Sequence, residues 1–203
     1  MNSIKLSGTV LDEPEYSHES YNEKFYDVRI AVMRESGNCD FLNCIVSEFL
    51  IDCISAGSKV TFIGEIRTKN MEVESKRIGT KLYVFVQSVR EYEGCDNQIV
   101  EINGYICKEP VCRKTPLGRD IADLLIASNR RSGKSDYIPC IAWGRNALRM
   151  SRSCVGENVI ANGRLQSREY TKKYDDGTQE IKTTYEVSLN YIENGGQQDG
   201  SEN

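Results

Sequence analysis

Residues 135–145 read SDYIPCIAWGR and hold the only tryptophan of the 203-residue chain. The alternation of a β-strand gives this segment two faces. One face is small and apolar enough to line a narrow core, and it consists of Ile138, Cys140 and Ala142. The other consists of Tyr137, Pro139, Ile141 and Trp143, and its two aromatic rings have a spacing at which unpaired bases could stack on a sheet. Packing inside the protein is the alternative role for a single tryptophan.

The sequence on either side of this segment has a second, related copy earlier in the chain. Residues 8–14, GTVLDEP, are matched 96 positions later by residues 104–110, GYICKEP, and the same offset of 96 relates Asp40 to Asp136. Further on, residues 57–64 match residues 156–163 at an offset of 99, because a loop insertion shifts the numbering without changing the strands. Several matches at one offset indicate an internal duplication.

Each repeat contains five strand-like segments and one short helix between the third and fourth. The helix is indicated by apolar residues at helical spacing: Phe49, Leu50, Cys53 and Ile54 in the first repeat, and Ala147, Met150 and Cys154 in the second. This order is typical of the OB-fold, a five-stranded Greek-key barrel. The sequence therefore predicts an all-β protein with two tandem OB-folds, residues 1–97 and 98–192. Residues 193–203 contain no apolar side chain and are expected to form a disordered tail.

Composition excludes several classes of protein. No apolar run approaches the roughly 18 residues of a membrane span, and the N-terminus has no signal-peptide pattern, so we expect a cytoplasmic, nucleoid-associated protein with reduced cysteines. The eight cysteines contain no CxxC spacing and there is one histidine, so no metal site, cofactor or cysteine–histidine pair is expected. The run RSGKS lacks the first glycine of a phosphate-binding loop, since Ser128 occupies that position.

Charge separates the two repeats. Residues 1–97 hold 11 basic and 16 acidic residues, a net charge of −5, whereas residues 98–192 hold 15 and 11, a net charge of +4. The basic excess therefore lies in the second repeat, where the local potential decides contact with phosphate groups. In the hairpin NGRLQSREYTKKYDDGTQEIKTTYEV the basic residues are interleaved with Tyr170, Tyr174 and Tyr185. Cations beside stackable rings are the two ingredients of sequence-tolerant single-strand binding, although solvated hairpin charges are the simpler alternative.

The second repeat resembles the bacterial single-stranded DNA-binding protein family in residues 118–130, 135–147, 155–159, 163–170 and 184–187. This resemblance implies that Tyr137, Trp143 and Tyr170 are base-stacking residues, and that residues 166–182 form a flexible arm that guides the strand. Candidate phosphate contacts are the cations Arg113, Arg119, Arg130, Arg145, Arg164, Arg168, Lys172 and Lys173.

The first repeat matches that family in outline only. At the repeat offsets, Phe41 stands for Tyr137, but Ser47 stands for Trp143 and Met71 for Tyr170. We therefore expect a degenerate OB-fold with an architectural role, pairing with the second repeat or with another chain. Family members usually assemble four OB-folds, which two copies of this chain would supply as a homodimer.

Together these features predict a non-enzymatic protein that binds single-stranded DNA in replication, recombination or repair. One alternative is an OB-fold module for protein interaction or replication restart that binds DNA weakly. A nuclease is a further alternative, but Asp120 and Asp123 have odd spacing and would lie on opposite faces of a strand. The C-terminal sequence DGSEN lacks the apolar end through which family members recruit replication and repair proteins, so such partners are less strongly indicated.

Overall fold

A computed structural model of the chain describes residues 1–73, 76–173 and 177–195. In this part of the chain, the first repeat consists of β1 (Asn2–Val10), β2 (Glu15–Ser20), β3 (Glu23–Met33), β4 (Cys39–Ser47), a 3₁₀ helix (Glu48–Cys53), β5 (Lys59–Val73) and β6 (Lys76–Glu91). The second repeat consists of β7 (Asn97–Ile106), β8 (Val111–Lys114), β9 (Asp120–Asn129), β10 (Ser135–Trp143), α1 (Arg145–Met150), β11 (Asn158–Lys173) and β12 (Gln179–Asn194). The order of elements is the same in both repeats.

Within the described residues, each repeat has one strand more than the sequence predicts. The additional strands, β2 and β8, are short and pair with β3 and β9 at the ends of the sheet order. The other five strands form the predicted barrel. In the first repeat β1 pairs with both β3 and β5, and the parallel pair β4–β6 completes the circle. The second repeat uses β7, β9, β11 and the parallel pair β10–β12 in the same way, so the prediction of two OB-folds is confirmed.

The core is filled from the inner faces of the barrel strands. Ile138, Cys140 and Ala142 are buried, as the alternation of residues 135–145 predicts. The repeat-related thiols of Cys44 and Cys140 are both buried, and desolvation raises the pKa of each above its ordinary value. These cysteines are therefore small core residues. The predicted helices are also present, with Ala147 and Met150 of α1 buried and the first repeat using a 3₁₀ helix instead.

The glycine shared by the two repeat motifs has a packing role. A Cβ atom on Gly8 would lie well inside van der Waals distance of the Ala31 carbonyl oxygen, where β1 crosses β3. At the equivalent point, a Cβ on Gly104 would meet the Ala127 carbonyl oxygen on β9. Because the first strand of each barrel crosses its neighbour at backbone contact distance, both repeats need glycine there.

The two barrels are joined through their first strands. β1 and β7 pair antiparallel from Asn2↔Ile102 to Ser7↔Asn97, so the strands of the described residues form one continuous twelve-stranded sheet. One cluster of buried apolar residues extends through both barrels. The equivalent strands therefore face each other across an approximate two-fold axis within a single chain. The last strand continues to Asn194, two residues beyond the predicted end of the second domain, and residues 196–203 of the predicted tail lie outside the described residues.

Candidate nucleic-acid interface

β10 presents two of the three predicted stacking residues. Tyr137 is 49% exposed, and Trp143 lies half-buried on the same side of the strand. The indole Nε1 of Trp143 donates a hydrogen bond to Ser188 Oγ on β12 at 3.0 Å. One edge of the indole is therefore fixed by the neighbouring parallel strand, and the prediction that Trp143 lies on the outer side of the barrel agrees with its position.

The neighbouring strand β11 adds a second row of side chains. Gln166, Arg168 and Tyr170 alternate along one side of β11, and Tyr170 is 42% exposed. This is the side of Trp143, because Gln166 Nε2 and Arg168 Nε lie 2.8 and 3.8 Å from Glu186 Oε1, two residues before Ser188 on β12. We call the surface formed by Tyr137, Trp143, Gln166, Arg168, Tyr170 and Glu186 the aromatic face.

The predicted arm is a long two-stranded hairpin. β11 and β12 pair without interruption from Gly163↔Leu189 to Lys173↔Gln179, and the outer residues of β11 are exposed. Tyr170 lies within this exposed part. Tyr174, the third tyrosine of the hairpin sequence, lies outside the described residues.

Tyr185 lies on the opposite side of the arm from Tyr170. Its phenol accepts a hydrogen bond from Asn43 Nδ2 of the first domain at 3.0 Å, and its ring packs against the buried core. Tyr185 is thus part of the contact between the domains, and it is not available as a stacking surface in this arrangement.

Six of the eight predicted phosphate contacts are exposed. These are Arg113, Arg119, Arg145, Arg168, Lys172 and Lys173. Arg119 lies just before β9, and Arg145 is the first residue of α1, directly after Trp143 and Gly144. The exposed cations therefore lie along the arm and beside the tryptophan strand.

The other two predicted contacts are partly buried where the two domains meet. The side chain of Arg130 is 19% exposed, and its Nε donates to Asp136 Oδ2 at 2.6 Å, which raises the pKa of Arg130. Among the described residues, the buried Nε of Arg164 has no hydrogen-bond partner. Burial first, and then repulsion from Arg34, lowers the pKa of Arg164. Both cations belong to the domain junction, since Arg130 lies beside Thr68 and Arg164 beside Arg34. Arg164 is on the same side of β11 as the exposed Arg168, but the first domain covers it.

Two carboxylates of the second domain, Asp123 and Glu186, lie beside exposed arginines, and the sequence analysis did not predict either contact. Arg113 Nε donates to Asp123 Oδ2 at 2.7 Å, and Glu186 lies near both Arg113 and Arg168. Hydrogen bonding to Asp123 raises the pKa of Arg113. A phosphate group would compete with these carboxylates for the two guanidinium groups. Cross-strand pairing produces this arrangement, since Val111 lies opposite Asp123 and Gln166 lies opposite Glu186.

The first domain also carries an aromatic ring near the position of Trp143, although the comparison of repeat positions finds only Ser47 there. Ser47 is buried, whereas the residue at the position equivalent to Ser188 is Phe85, since Cys44↔Val84 corresponds to Cys140↔Val187. The aromatic ring has thus moved from the third barrel strand to the fifth. The guanidinium of Arg67 covers the Phe85 ring at 3.5 Å from its centroid. Comparison along single strands misses such an exchange, because it occurs between two strands.

The remaining predicted stacking equivalents of the first domain are exposed. Phe41 is 52% exposed and Met71 is 40% exposed. Within the described residues, no group of three histidine, cysteine or acidic side chains is arranged to hold a metal ion. The helices of that part of the chain are also too short to span a bilayer.

Comparison with known proteins identifies related chains. Residues 97–193 match the model of the single-strand binding protein family. The single-stranded DNA-binding protein of Clostridium tetani is 32% identical over 94 residues, which cover 43% of this chain and 63% of that protein. Single-stranded DNA-binding protein B of Bacillus subtilis is 33% identical over 81 residues, which cover 36% of this chain and 71% of that protein. The chain thus spans less than two thirds of the C. tetani protein.

A solved structure extends the similarity to both domains. The wild-type single-stranded DNA binding protein of Thermus aquaticus superimposes with a TM-score of 0.79 over 100% of this chain and 97% of that chain, at 18% sequence identity. The tandem fold is therefore shared by the whole chain. With the sequence match to the second domain, these findings show that the chain belongs to the single-strand binding protein family.

Proposed function

We propose that the chain binds single-stranded DNA with little sequence preference, and that the aromatic face of the second domain is the principal contact surface. The observation that carries this proposal is the common side of β10 and β11, where Tyr137, Trp143 and Tyr170 accompany exposed cations. Stacking on each ring contributes about 1–3 kcal/mol, and every base has a face that can stack. The names of the C. tetani and B. subtilis relatives support the same ligand.

The exposed cations supply the sequence-independent part of the affinity. Arg113, Arg119, Arg145, Arg168, Lys172 and Lys173 are proposed to contact phosphates, and Arg130 and Arg164 are left out because of their positions at the domain junction. Each phosphate neutralised on a single strand contributes about −0.7 to the slope of log affinity against log salt. The protein is proposed to act without catalysis, in the cytoplasm, by coating single strands exposed during replication, recombination or repair.

A titration with poly-dT at several salt concentrations tests this function. Stacking on Trp143 is expected to quench its fluorescence, and the affinity is expected to fall as salt rises. A dissociation constant weaker than about 10⁻⁵ M at physiological salt, with unchanged fluorescence, would instead favour a module for protein interaction or replication restart, because such affinity is no better than non-specific contact.

We further propose that two chains associate as a homodimer, which would combine four OB-folds. The outward side of β7, β11 and β12 carries exposed apolar side chains, namely Ile99, Tyr105, Ile160 and Tyr191. These residues share one side of the sheet, because Tyr105 lies opposite Asn158, two residues before Ile160, and Tyr191 lies opposite Asn162, two residues after it. We call this surface the outer sheet face. An exposed apolar patch of this kind is typical of a protein interface. Two copies of the chain could pair through this same patch about a two-fold axis, as most homodimers do.

A further inference from the structure

A buried carboxylate lies directly beside the stacking residue Tyr137. Asp136 is 1% exposed and accepts two hydrogen bonds from Arg130 of its own domain, one of them at 2.6 Å from Nε. It also accepts a hydrogen bond from the backbone N–H of Thr68, on β5 of the first domain, at 2.6 Å. The charge of Asp136 is therefore balanced within its own domain, and its remaining bonds reach across the junction.

Thr68 connects this carboxylate to the strand that presents the tyrosine. The Thr68 hydroxyl lies 3.3 Å from Asp136 Oδ1, and it accepts the backbone N–H of Tyr137 at 3.1 Å. The backbone N–H of Tyr137 is thus bound by the Thr68 side chain of the other barrel, rather than by β9. Because both the carboxylate and the amide bind one threonine, the start of β10 has a fixed position relative to the first domain.

The same arrangement occurs at the repeat-related position. Asp40 is fully buried and is bound by Arg34 of its own domain, by Gln98 Nε2 at 3.0 Å and by the backbone N–H of Ser167 at 3.0 Å. The hydroxyl of Ser167 accepts the backbone N–H of Phe41 at 3.0 Å. In each domain, therefore, one buried aspartate accepts a backbone hydrogen bond from the base of the other domain's hairpin arm.

We propose that Asp136 and Thr68 are positioning residues for single-stranded DNA binding, and that they act by holding Tyr137 in the aromatic face. This inference rests on the proposed function and assigns the first domain an active part in it: the first domain orients a stacking residue of the second. The sequence comparison assigns the first domain only an architectural role, since it considers the rings that this domain itself presents.

The chain contains a matched control for Thr68 on the same strand. Thr61 of β5 is fully buried, and its hydroxyl lies 2.7 Å from Ser7 Oγ of β1, away from the aromatic face. Thr68→Val and Thr61→Val each remove one hydroxyl with little change in shape. Both variants leave a hydrogen-bonding partner unsatisfied, so both are expected to lower the denaturation midpoint.

The test compares the affinities of these variants for labelled oligo-dT. Thr68→Val is expected to weaken binding about fivefold, whereas Thr61→Val and Thr68→Ser are expected to stay within twofold of the wild type, as the loss of a positioning hydrogen bond predicts. In a Tyr137→Ala background, Thr68→Val is expected to have no further effect, because Thr68 would act through the ring that has been removed. A purely structural role would leave the Thr68→Val effect unchanged in that background.

Hydrogen exchange supplies a readout that does not depend on DNA. The amide of Tyr137 is expected to exchange faster in Thr68→Val than in the wild type or in Thr61→Val. If the wild type binds oligo-dT tightly and Thr68→Val matches Thr61→Val in affinity, the positioning role is overturned while the proposed function stands. If the wild type itself does not bind oligo-dT, the proposed function fails, and the positioning role fails with it.

Discussion

Among single residues, the second domain combines aromatic rings that can stack with arginines that are already partly paired with carboxylates. Tyr137 and Tyr170 are exposed, and Trp143 is held at one edge by Ser188. The pairing of Arg113 with Asp123 means that a phosphate must replace an existing partner at that position. The aromatic rings are therefore proposed to carry the affinity that does not depend on salt, and the free energy gained from the arginines would be reduced by their carboxylate neighbours.

The stacking residues lead to a comparison of two double variants. Trp143→Ala with Tyr170→Ala is expected to weaken oligo-dT binding by about 2 kcal/mol or more, a factor of roughly 30, because two stacking surfaces are lost. Phe41→Ala with Met71→Ala removes the equivalent exposed side chains of the first domain and is expected to have a much smaller effect. Fluorescence anisotropy of a labelled oligonucleotide measures both. Equal losses would contradict the assignment of stacking to the second domain.

The carboxylate on the aromatic face leads to a prediction of the opposite sign. Glu186→Gln is expected to strengthen oligo-dT binding about two- to fivefold at low salt, because Arg113 and Arg168 lose a competing negative charge. Glu101→Gln makes the same change of charge on the outer sheet face, where Glu101 contacts Ser3. Equal gains for the two variants would mean that net charge, rather than the position of Glu186, controls the affinity.

At the scale of elements, strand crossings and hairpin arms define the interface. Alternation along residues 135–145 predicts correctly that Ile138, Cys140 and Ala142 are buried, because this period is a property of any strand. It places Ile141 on the outer face, and that prediction is wrong, since Ile141 is buried as well. The same reasoning does not predict that Arg130 and Arg164 are covered at the domain junction, or that the first domain carries Phe85 in place of the tryptophan. Those features depend on which strand or domain lies alongside, and strand alternation contains no information about neighbouring strands.

The crossing of the first strand over its neighbour can be tested by stability. Gly104→Ala is expected to lower the free energy of unfolding by about 2–3 kcal/mol, because the new Cβ would meet the Ala127 carbonyl oxygen and the backbone must move. Gly79→Ala is the control, since the atom nearest to its Cβ is the flexible end of Met71 at 3.2 Å. Urea unfolding measures both. Equal midpoints for the two variants would contradict a packing role for this glycine.

At the scale of the whole molecule, one chain already contains a paired set of barrels. β1 and β7 form the central pairing of the sheet, and the buried aspartates fasten each arm to the opposite barrel. The outer sheet face is left with Ile99, Ile160 and Tyr191 exposed. This surface is the one proposed to meet a second copy, because the central strands β1 and β7 already pair with each other within one chain.

Association through the outer sheet face can be measured by sedimentation. The wild type at micromolar concentration is expected to have about twice the mass of one chain, and Ile99→Glu is expected to shift it to a monomer by placing a charge in an apolar contact. Ile181→Glu makes the same substitution on the arm, where Ile181 is exposed, and is expected to leave the dimer intact. A wild type that sediments as a monomer would contradict the proposed assembly.

Duplication and strand alternation are visible along one chain, so the sequence is sufficient to predict two OB barrels and the burial of Ile138, Cys140 and Ala142. The number of strands was one too small in each repeat, since β2 and β8 are short and exposed and have no alternating apolar pattern. The meeting of Asp136 and Thr68 beside Tyr137, across a sequence separation of 68 residues, is visible only in the folded chain. Contacts between domains depend on how two folded surfaces dock, and the residues that meet there are far apart along the chain. The duplicated sequence therefore specifies two similar barrels, while their docking decides which side chains remain free to bind.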